Sequence, residues 1–360
     1  MQNHCAVRLV CCPSRILTEL PHPGPLPHAG EGVFLPLPRG EVAAQRRVRA
    51  GLALLILSIA LPATARSSAI VVTDDIGNRV SLPGPATRVI SLAPHLTELM
   101  FSIGAGAQIV GTVQSSDFPA AALDIPRVGD NASIDMEQVV AMQPDLVLVW
   151  QSGNGSALVS RLRELHLPVF VSEPRSLAQI ESTVRTLGQL TGRDEAARAA
   201  ADAFASRVSA LTPRTPPRKP VRVFYQIWGQ PIYTVGSRHL INEIIELCGG
   251  QNVFADLPVL AGPVDVEAVL AADPDLIVGS GFDETRPQWL DDWRHWPQLR
   301  AVQQERLRFI PPSVIQRHTL RVLDGAEEMC EFIAPLSQNQ IQLIHFTVSF
   351  GSKRSDHKRR

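Results

Sequence analysis

Lysine is almost missing from this chain: only Lys219, Lys353 and Lys358 occur, and two of them fall in the last eight residues. Arginine carries the positive charge instead, and 34 Lys plus Arg against 35 Asp plus Glu leave a formal net charge of −1. A chain so balanced lacks the basic face that nucleic acid demands, which argues against a nucleic-acid partner. Signatures of catalysis are missing as well. There is no GxxxxGK[ST] phosphate loop, no HExxH helix, no CxxC pair and no GxSxG elbow. The segment GAGAQIVG (104–111) lacks the third glycine of a dinucleotide-binding loop.

What is present begins with an export signal. Arg46, Arg47 and Arg49 precede an 11-residue apolar stretch, Gly51–Leu61, and Ala63-Thr64-Ala65 supplies small residues at the exit. The stretch is too short for a membrane span, which needs about 20 residues. Residues 46–65 therefore read as a cleavable signal peptide, with the periplasm as destination. Residues 1–45, rich in proline and glycine and without apolar period, read as a non-native-looking disordered extension, with translation expected to begin near Val48. Of five cysteines, Cys5, Cys11 and Cys12 lie in that extension; Cys248 and Cys330 remain. Counting alone leaves one disulfide and two separate thiols equally open. No cysteine follows the signal to accept a lipid.

From Ile70 a hairpin pattern, IVVTDDIGNRVSLP, leads into alternating short apolar runs and helical periods. Strands are expected over 88–93, 108–113, 145–150 and 168–173, with helices between them, and again over 222–228, 275–280 and 306–311. A final helix is expected from Leu323 to Ile333. Between the two sets runs DEAARAAADAFASRVSAL, Asp194–Leu211, whose 18 residues would extend roughly 27 Å as a helix before TPRTPPRKP stops it. The expected fold is α/β: two pseudo-symmetric lobes with mainly parallel sheets joined by one long rigid inter-lobe helix. The expected bounds are 70–190 for the first lobe, 191–212 for the helix, 218–335 for the second lobe and 336–360 for a disordered tail.

An internal repeat supports two lobes. IDMEQVVAMQPDLVL (134–148) and VDVEAVLAADPDLIV (264–278) align without gaps at an offset of 130, with seven of 15 positions identical. In doubly wound sheets ligands bind beyond the carboxyl ends of the strands. Here those ends carry Ala93-Pro94, Trp150, Trp228, Ser280-Gly281 and Pro311-Pro312. Trp150 and Trp228, one per lobe and expected at equivalent places, offer flat faces for a flat ligand, where each could also simply cap its own core. Glu137 and Glu267 each follow an aspartate suited to cap a helix. Helix dipoles alone favour acids there, but their retention in both copies suits a two-fold symmetric partner bearing arginines. His95 and Glu98, three apart on one helix, could seat a metal; a helix-start histidine with a first-turn glutamate is the plainer reading.

RVISLAPHLTEL, the DxExVxAxxPDLVLVW segment, the long helix and PIYTVGSRHLINEIIELCGGQNVFAD together resemble the helical-backbone class of substrate-binding proteins. Within that class they are similar to the vitamin B12 (cobalamin) binding proteins of ABC importers. The resemblance spans about residues 70–335. It implies a non-enzymatic, monomeric carrier that holds cobalamin or a related corrinoid as transported ligand, uses no cofactor, and delivers to a permease dimer. It also implies that Glu137 and Glu267 dock onto permease arginines, that Cys248 and Cys330 form a disulfide, and that Trp150, Tyr233 and Arg317 face the ligand. Ser115, Asn131 and Ala261 stand where cobalamin binders carry aromatics. The expected ligand set is thus Ala93, Pro94, Ser115, Asn131, Trp150, Trp228, Tyr233, Ala261 and Arg317. Haem or a ferric siderophore is the alternative ligand, and an exported metal-dependent enzyme using His95 and Glu98 the alternative function.

Overall fold

A computed structural model describes residues 69–130, 133–212 and 219–336. The extension over 1–45, the signal segment over 46–65, Asn131, most of the proline-rich exit and the tail beyond residue 336 lie outside them. Among the described residues no helix is long and apolar enough to cross a membrane.

The first lobe opens on an antiparallel hairpin of β1 (Ile70–Thr73) and β2 (Arg79–Leu82), whose turn is held by the Asp74 carboxylate accepting from the Asn78 amide at 2.6 Å. Then follow β3 (Val89–Ser91), α1 (Pro94–Ser102), β4 (Ile109–Thr112), α2 (Met136–Ala141), β5 (Leu146–Trp150), α3 (Gln151–Glu164) and β6 (Val169–Ser172). The sheet is parallel, in the order β4-β3-β5-β6. β5 and β6 are buried along nearly their whole length, as expected of strands with helices on both faces.

The second lobe contains β7 (Val221–Gln226), β8 (Ile232–Val235), α6 (Leu240–Leu247), β9 (Gly250–Asn252), β10 (Ala261–Val264), α7 (Val266–Ala272), β11 (Leu276–Gly279), α8 (Arg300–Gln303), β12 (Leu307–Phe309), α9 (Pro312–Ile315) and a last helix, α10, over 322–336. Its parallel sheet runs β12-β11-β7-β9. Numbered by chain order within each lobe, both sheets read 2-1-3-4. β8 and β10, separated in the chain by α6 and β9, form an extra two-stranded antiparallel ribbon in the second lobe.

The repeat reaches beyond the aligned segment. Asp145 accepts from the backbone of Thr87 and Arg88, while Asp275 accepts from the backbone of Arg222. The side chains of Arg88 and Arg222 in turn donate to Met142 and Ala272, carbonyls at the ends of α2 and α7, at 2.6 and 2.7 Å. A cationic side chain suits a helix C-terminus, where carbonyls lack intrahelical partners.

Between the lobes the expected helix is present as α5 (Asp194–Leu211). It runs beside α4 (Leu177–Thr191), which the sequence analysis does not name, and Gly192 turns the chain between them at φ 67°. Leu177, Ile180 and Phe204 pack into the core of the second lobe, and Val184, Leu187, Leu190, Ala197 and Ala201 into that of the first. Both helices therefore cross from one core to the other. They lie so close that a Cβ on Gly188 would stand 2.3 Å from that of Ala197.

Candidate functional site in the inter-lobe cleft

The carboxyl ends of the central strands point to the junction of the lobes. After β3, Ala93 is buried and caps α1, whose first residue is Pro94; the proline lacks an N–H, so one orphan donor of the helix start is removed. Trp150 ends β5. Its amide donates to the Asn154 carboxamide at 2.8 Å, and that side chain donates onward to the Leu92 carbonyl at 3.0 Å, tying the ends of β5 and β3 together. The indole lies flat against Gly153, where a Cβ would come within 2.0 Å of the ring.

Trp150 meets two histidines. Its ring centroid is 5.3 Å from that of His95 on α1 and 6.0 Å from that of His318, which the second lobe supplies, and the two histidines are 5.7 Å apart. Burial drives His318 down to about 4 and His95 well below the ordinary histidine range, with the charges of His318 and Arg317 opposing protonation of His95 further. His239 falls to about 4 for the same reason. The lobes thus meet across neutral imidazoles. Around them lies a cavity of about 150 Å³, walled by Trp150, Glu173 and Pro174 from the first lobe and His239, Leu260 and His318 from the second.

Charged pairs flank this aromatic contact. Arg321 donates to both oxygens of Glu98, at 2.7 and 2.8 Å, and lies over the Phe118 ring 3.7 Å from its centroid. Arg317 pairs with Asp117 at 2.6 and 3.1 Å, which holds the Asp117 carboxyl below the usual range, and comes within 4.0 Å of Glu98. Arg317 therefore sits at the cleft, engaged by a carboxylate of the opposite lobe. The metal reading of His95 and Glu98 does not survive this geometry, because Arg321 occupies both oxygens of Glu98 while His95 packs between two rings. Among the described residues no cluster of three potential ligands is close enough to hold a metal ion.

Trp228 and Trp150 do not occupy equivalent places, contrary to expectation. Trp150 ends the third strand of its lobe, whereas Trp228 lies two residues past the first strand of the other. Trp228 is 41% exposed and stacks edge-on against Phe282, 69% exposed, at 4.8 Å. Two large apolar rings left in solvent side by side call for a partner. Phe282 escaped the sequence analysis, although it directly follows the strand end at Ser280-Gly281. The ribbon of β8 and β10 gathers the other second-lobe candidates: Tyr233 bridges to Trp228 and pairs with Pro263, and Ala261 pairs with Val235. Ser115 is exposed in the loop after β4.

Glu137 and Glu267 are exposed in the first turns of α2 and α7. Asp135 and Asp265 cap those helices, accepting from the amides of Gln138 at 3.0 Å and Ala268 at 2.7 Å. Among the described residues neither glutamate is in an ion pair. Each helix precedes the third strand of its lobe through a tight turn and so runs against it, which brings its first turn to the edge where the strands end. In the second lobe Cys248, at the end of α6, and Cys330, on α10, form a disulfide with Cα atoms 4.7 Å apart.

The chain matches the periplasmic binding protein family over residues 89–314. It is 33% identical to the vitamin B12-binding protein of Vibrio cholerae over 252 residues, covering 70% of this chain and 90% of that protein. The vitamin B12-binding protein of Yersinia pestis is 33% identical over 262 residues, with 71% and 90% covered. The crystal structure of the Vibrio cholerae periplasmic vitamin B12-binding protein superposes with a TM-score of 0.64 at 32% identity, over 71% of this chain and 98% of that one. A periplasmic heme-binding protein from Roseiflexus shares the fold at 19% identity and a TM-score of 0.60, over 70% and 99% of the two chains. Two lobes of one strand order, bridged by paired helices and matched over this span, leave one conclusion: the chain belongs to the periplasmic binding protein family.

Proposed function

We propose that this protein is the periplasmic, non-catalytic and monomeric carrier of an ABC importer, and that it binds cobalamin or a related corrinoid between its lobes. The observation that carries the reading is the 33% identity to vitamin B12-binding proteins sustained over about nine-tenths of their length. The signal segment at 46–65 supports export. The cavity of about 150 Å³ is smaller than the roughly 300–1,000 Å³ of pockets that enclose a whole small ligand. A corrinoid would therefore lie across the open mouth, between Trp150 on one side and Trp228 with Phe282 on the other. Ala93, Pro94, Ser115, Asn131, Tyr233, Ala261 and Arg317 complete the proposed contact set. Exposed indoles suit the flat, amphipathic macrocycle, since they bury area at little cost in side-chain entropy. Glu137 and Glu267, exposed on two equivalent helices and in no ion pair among the described residues, suit docking onto a permease dimer through arginines.

Calorimetric titration with cyanocobalamin, followed in parallel by tryptophan fluorescence, tests the ligand. Saturable one-to-one binding is expected, and W228A with F282A should weaken it. Absence of heat and quenching at micromolar protein refutes the corrinoid, and a Soret band that shifts on adding haem would give the site to haem instead.

A further inference from the structure

Two departures from lobe symmetry meet at one place. One is the antiparallel ribbon of β8 and β10. The other is the connection between β11 and β12, where the first lobe has the long α3 and the second has a 3-10 helix over Gln288–His295, then Trp296 and the single-turn α8. Between these segments and the start of α7 lies a cavity of about 800 Å³. Four of the chain's five tryptophans, Trp228, Trp289, Trp293 and Trp296, line it. Their poses are fixed from behind. Trp289 rests on Gly229, where a Cβ would stand 2.6 Å from the ring, and the Trp293 indole N–H donates to Gln226 at 2.6 Å.

Beside three glutamines, the charged part of the lining is acidic. Glu267 and Asp292 contribute carboxylates in no ion pair among the described residues, and no lysine, arginine or histidine lines the cavity. Indole faces attract cations, and an adjacent carboxylate adds to that attraction. A guanidinium group uses both features at once, because it stacks on a ring while its planar fork meets a carboxylate. An anionic guest would gain from the walls alone and be repelled by both acids. No tryptophan stands beside Glu137 in the described first lobe, whose single tryptophan, Trp150, faces the lobe junction.

We infer that the second-lobe cavity receives an arginine side chain presented by the permease next to the Glu267 contact, so that the two lobes dock with unequal strength. This rests on the docking role given above to Glu137 and Glu267. Permease arginines that pair with surface glutamates would serve the first lobe through charge alone, and the second through charge and indole stacking together.

The experiment measures association of the whole binding protein with its permease dimer in nanodiscs. Asp292 is exposed and outside the proposed ligand contacts, so D292K should weaken association roughly tenfold while leaving cyanocobalamin affinity unchanged. W289A should weaken it, and W289F should restore most of the loss. E267A should cost several-fold more than E137A. In the isolated protein, L-argininamide should quench tryptophan fluorescence saturably, and D292K should abolish that response. If D292K and W289A dock like the parent while the E137A/E267A double variant does not, the inference falls and the glutamate reading stands. If the double variant docks normally, the glutamate reading itself falls and this inference with it. Loss of cyanocobalamin binding in D292K would assign the cavity to the ligand site and overturn the inference.

Discussion

Arg321 of the second lobe grips Glu98 of the first with two parallel hydrogen bonds, 2.7 and 2.8 Å long, across 223 residues of chain. Glu98 retains only 6% side-chain exposure and Arg321 25%, so water competes weakly for either group. A neighbouring pair, Arg317 with Asp117, has its carboxylate 57% exposed. Burial decides between them: exposed pairs contribute about 0–1 kcal/mol, whereas a partly buried bidentate pair exceeds that.

A double-mutant cycle on E98Q and R321Q is therefore expected to show coupling of about 2 kcal/mol, against less than about 1 kcal/mol for D117N with R317Q. Urea unfolding of the four variants measures both. Equal coupling for the two pairs would contradict the ranking.

Acid should weaken the fold before the carboxylates titrate. His239 and His318 stand near 4 in the folded chain, against about 6.5 when unfolded, and His95 is lowered as well. A depressed histidine means that the unfolded chain binds the extra proton. Stability is thus complete above pH 6.5 and is lost as pH falls from 6.5 toward 4, by up to on the order of 3 kcal/mol for each of the two histidines at 4. Unfolding free energies at pH 7, 6 and 5 should show this slope, and H318Q should reduce it by close to one proton. A slope identical in H318Q would exclude His318 as a source.

Removing the disulfide should be costly. Cys248 and Cys330 close a loop with a sequence separation of 82, so C248S/C330S should destabilise by about 2–5 kcal/mol. Scanning calorimetry with and without reductant reads the effect. A midpoint unmoved by both treatments would remove the bridge from the stability of the second lobe.

Local grammar made much of this fold readable. Asp194–Leu211 coincides with its expected bounds because an acidic start and a Thr-Pro exit mark both ends. The 134–148 and 264–278 repeat named the two aspartate caps correctly, since capping is written in adjacent residues. α4 went unnamed even though Leu177, Ile180, Val184 and Leu187 keep helical spacing, because threonines and glutamines dilute the stripe. The β8–β10 ribbon was also missed. Its second strand, AGPV, has poor strand propensity and is held by pairing to residues about 30 positions away. At the cleft, Trp150 was recoverable as an aromatic at a strand end. Neither its partner His318 nor the Arg321–Glu98 pair was, because nothing within either sequence segment marks a contact made only between the two lobes.

The paired crossing of α4 and α5 bears on how such a carrier works. A lone rod between two bodies can bend at its middle, but two rods anchored in both cores act as a truss, in which flexing one shears the other along the Gly188–Ala197 seam. Wide clamshell travel would tear apolar packing from both cores at once. Selection of a guest therefore falls to the side chains along the mouth, and a permease meets nearly the same outline whether the carrier arrives loaded or empty.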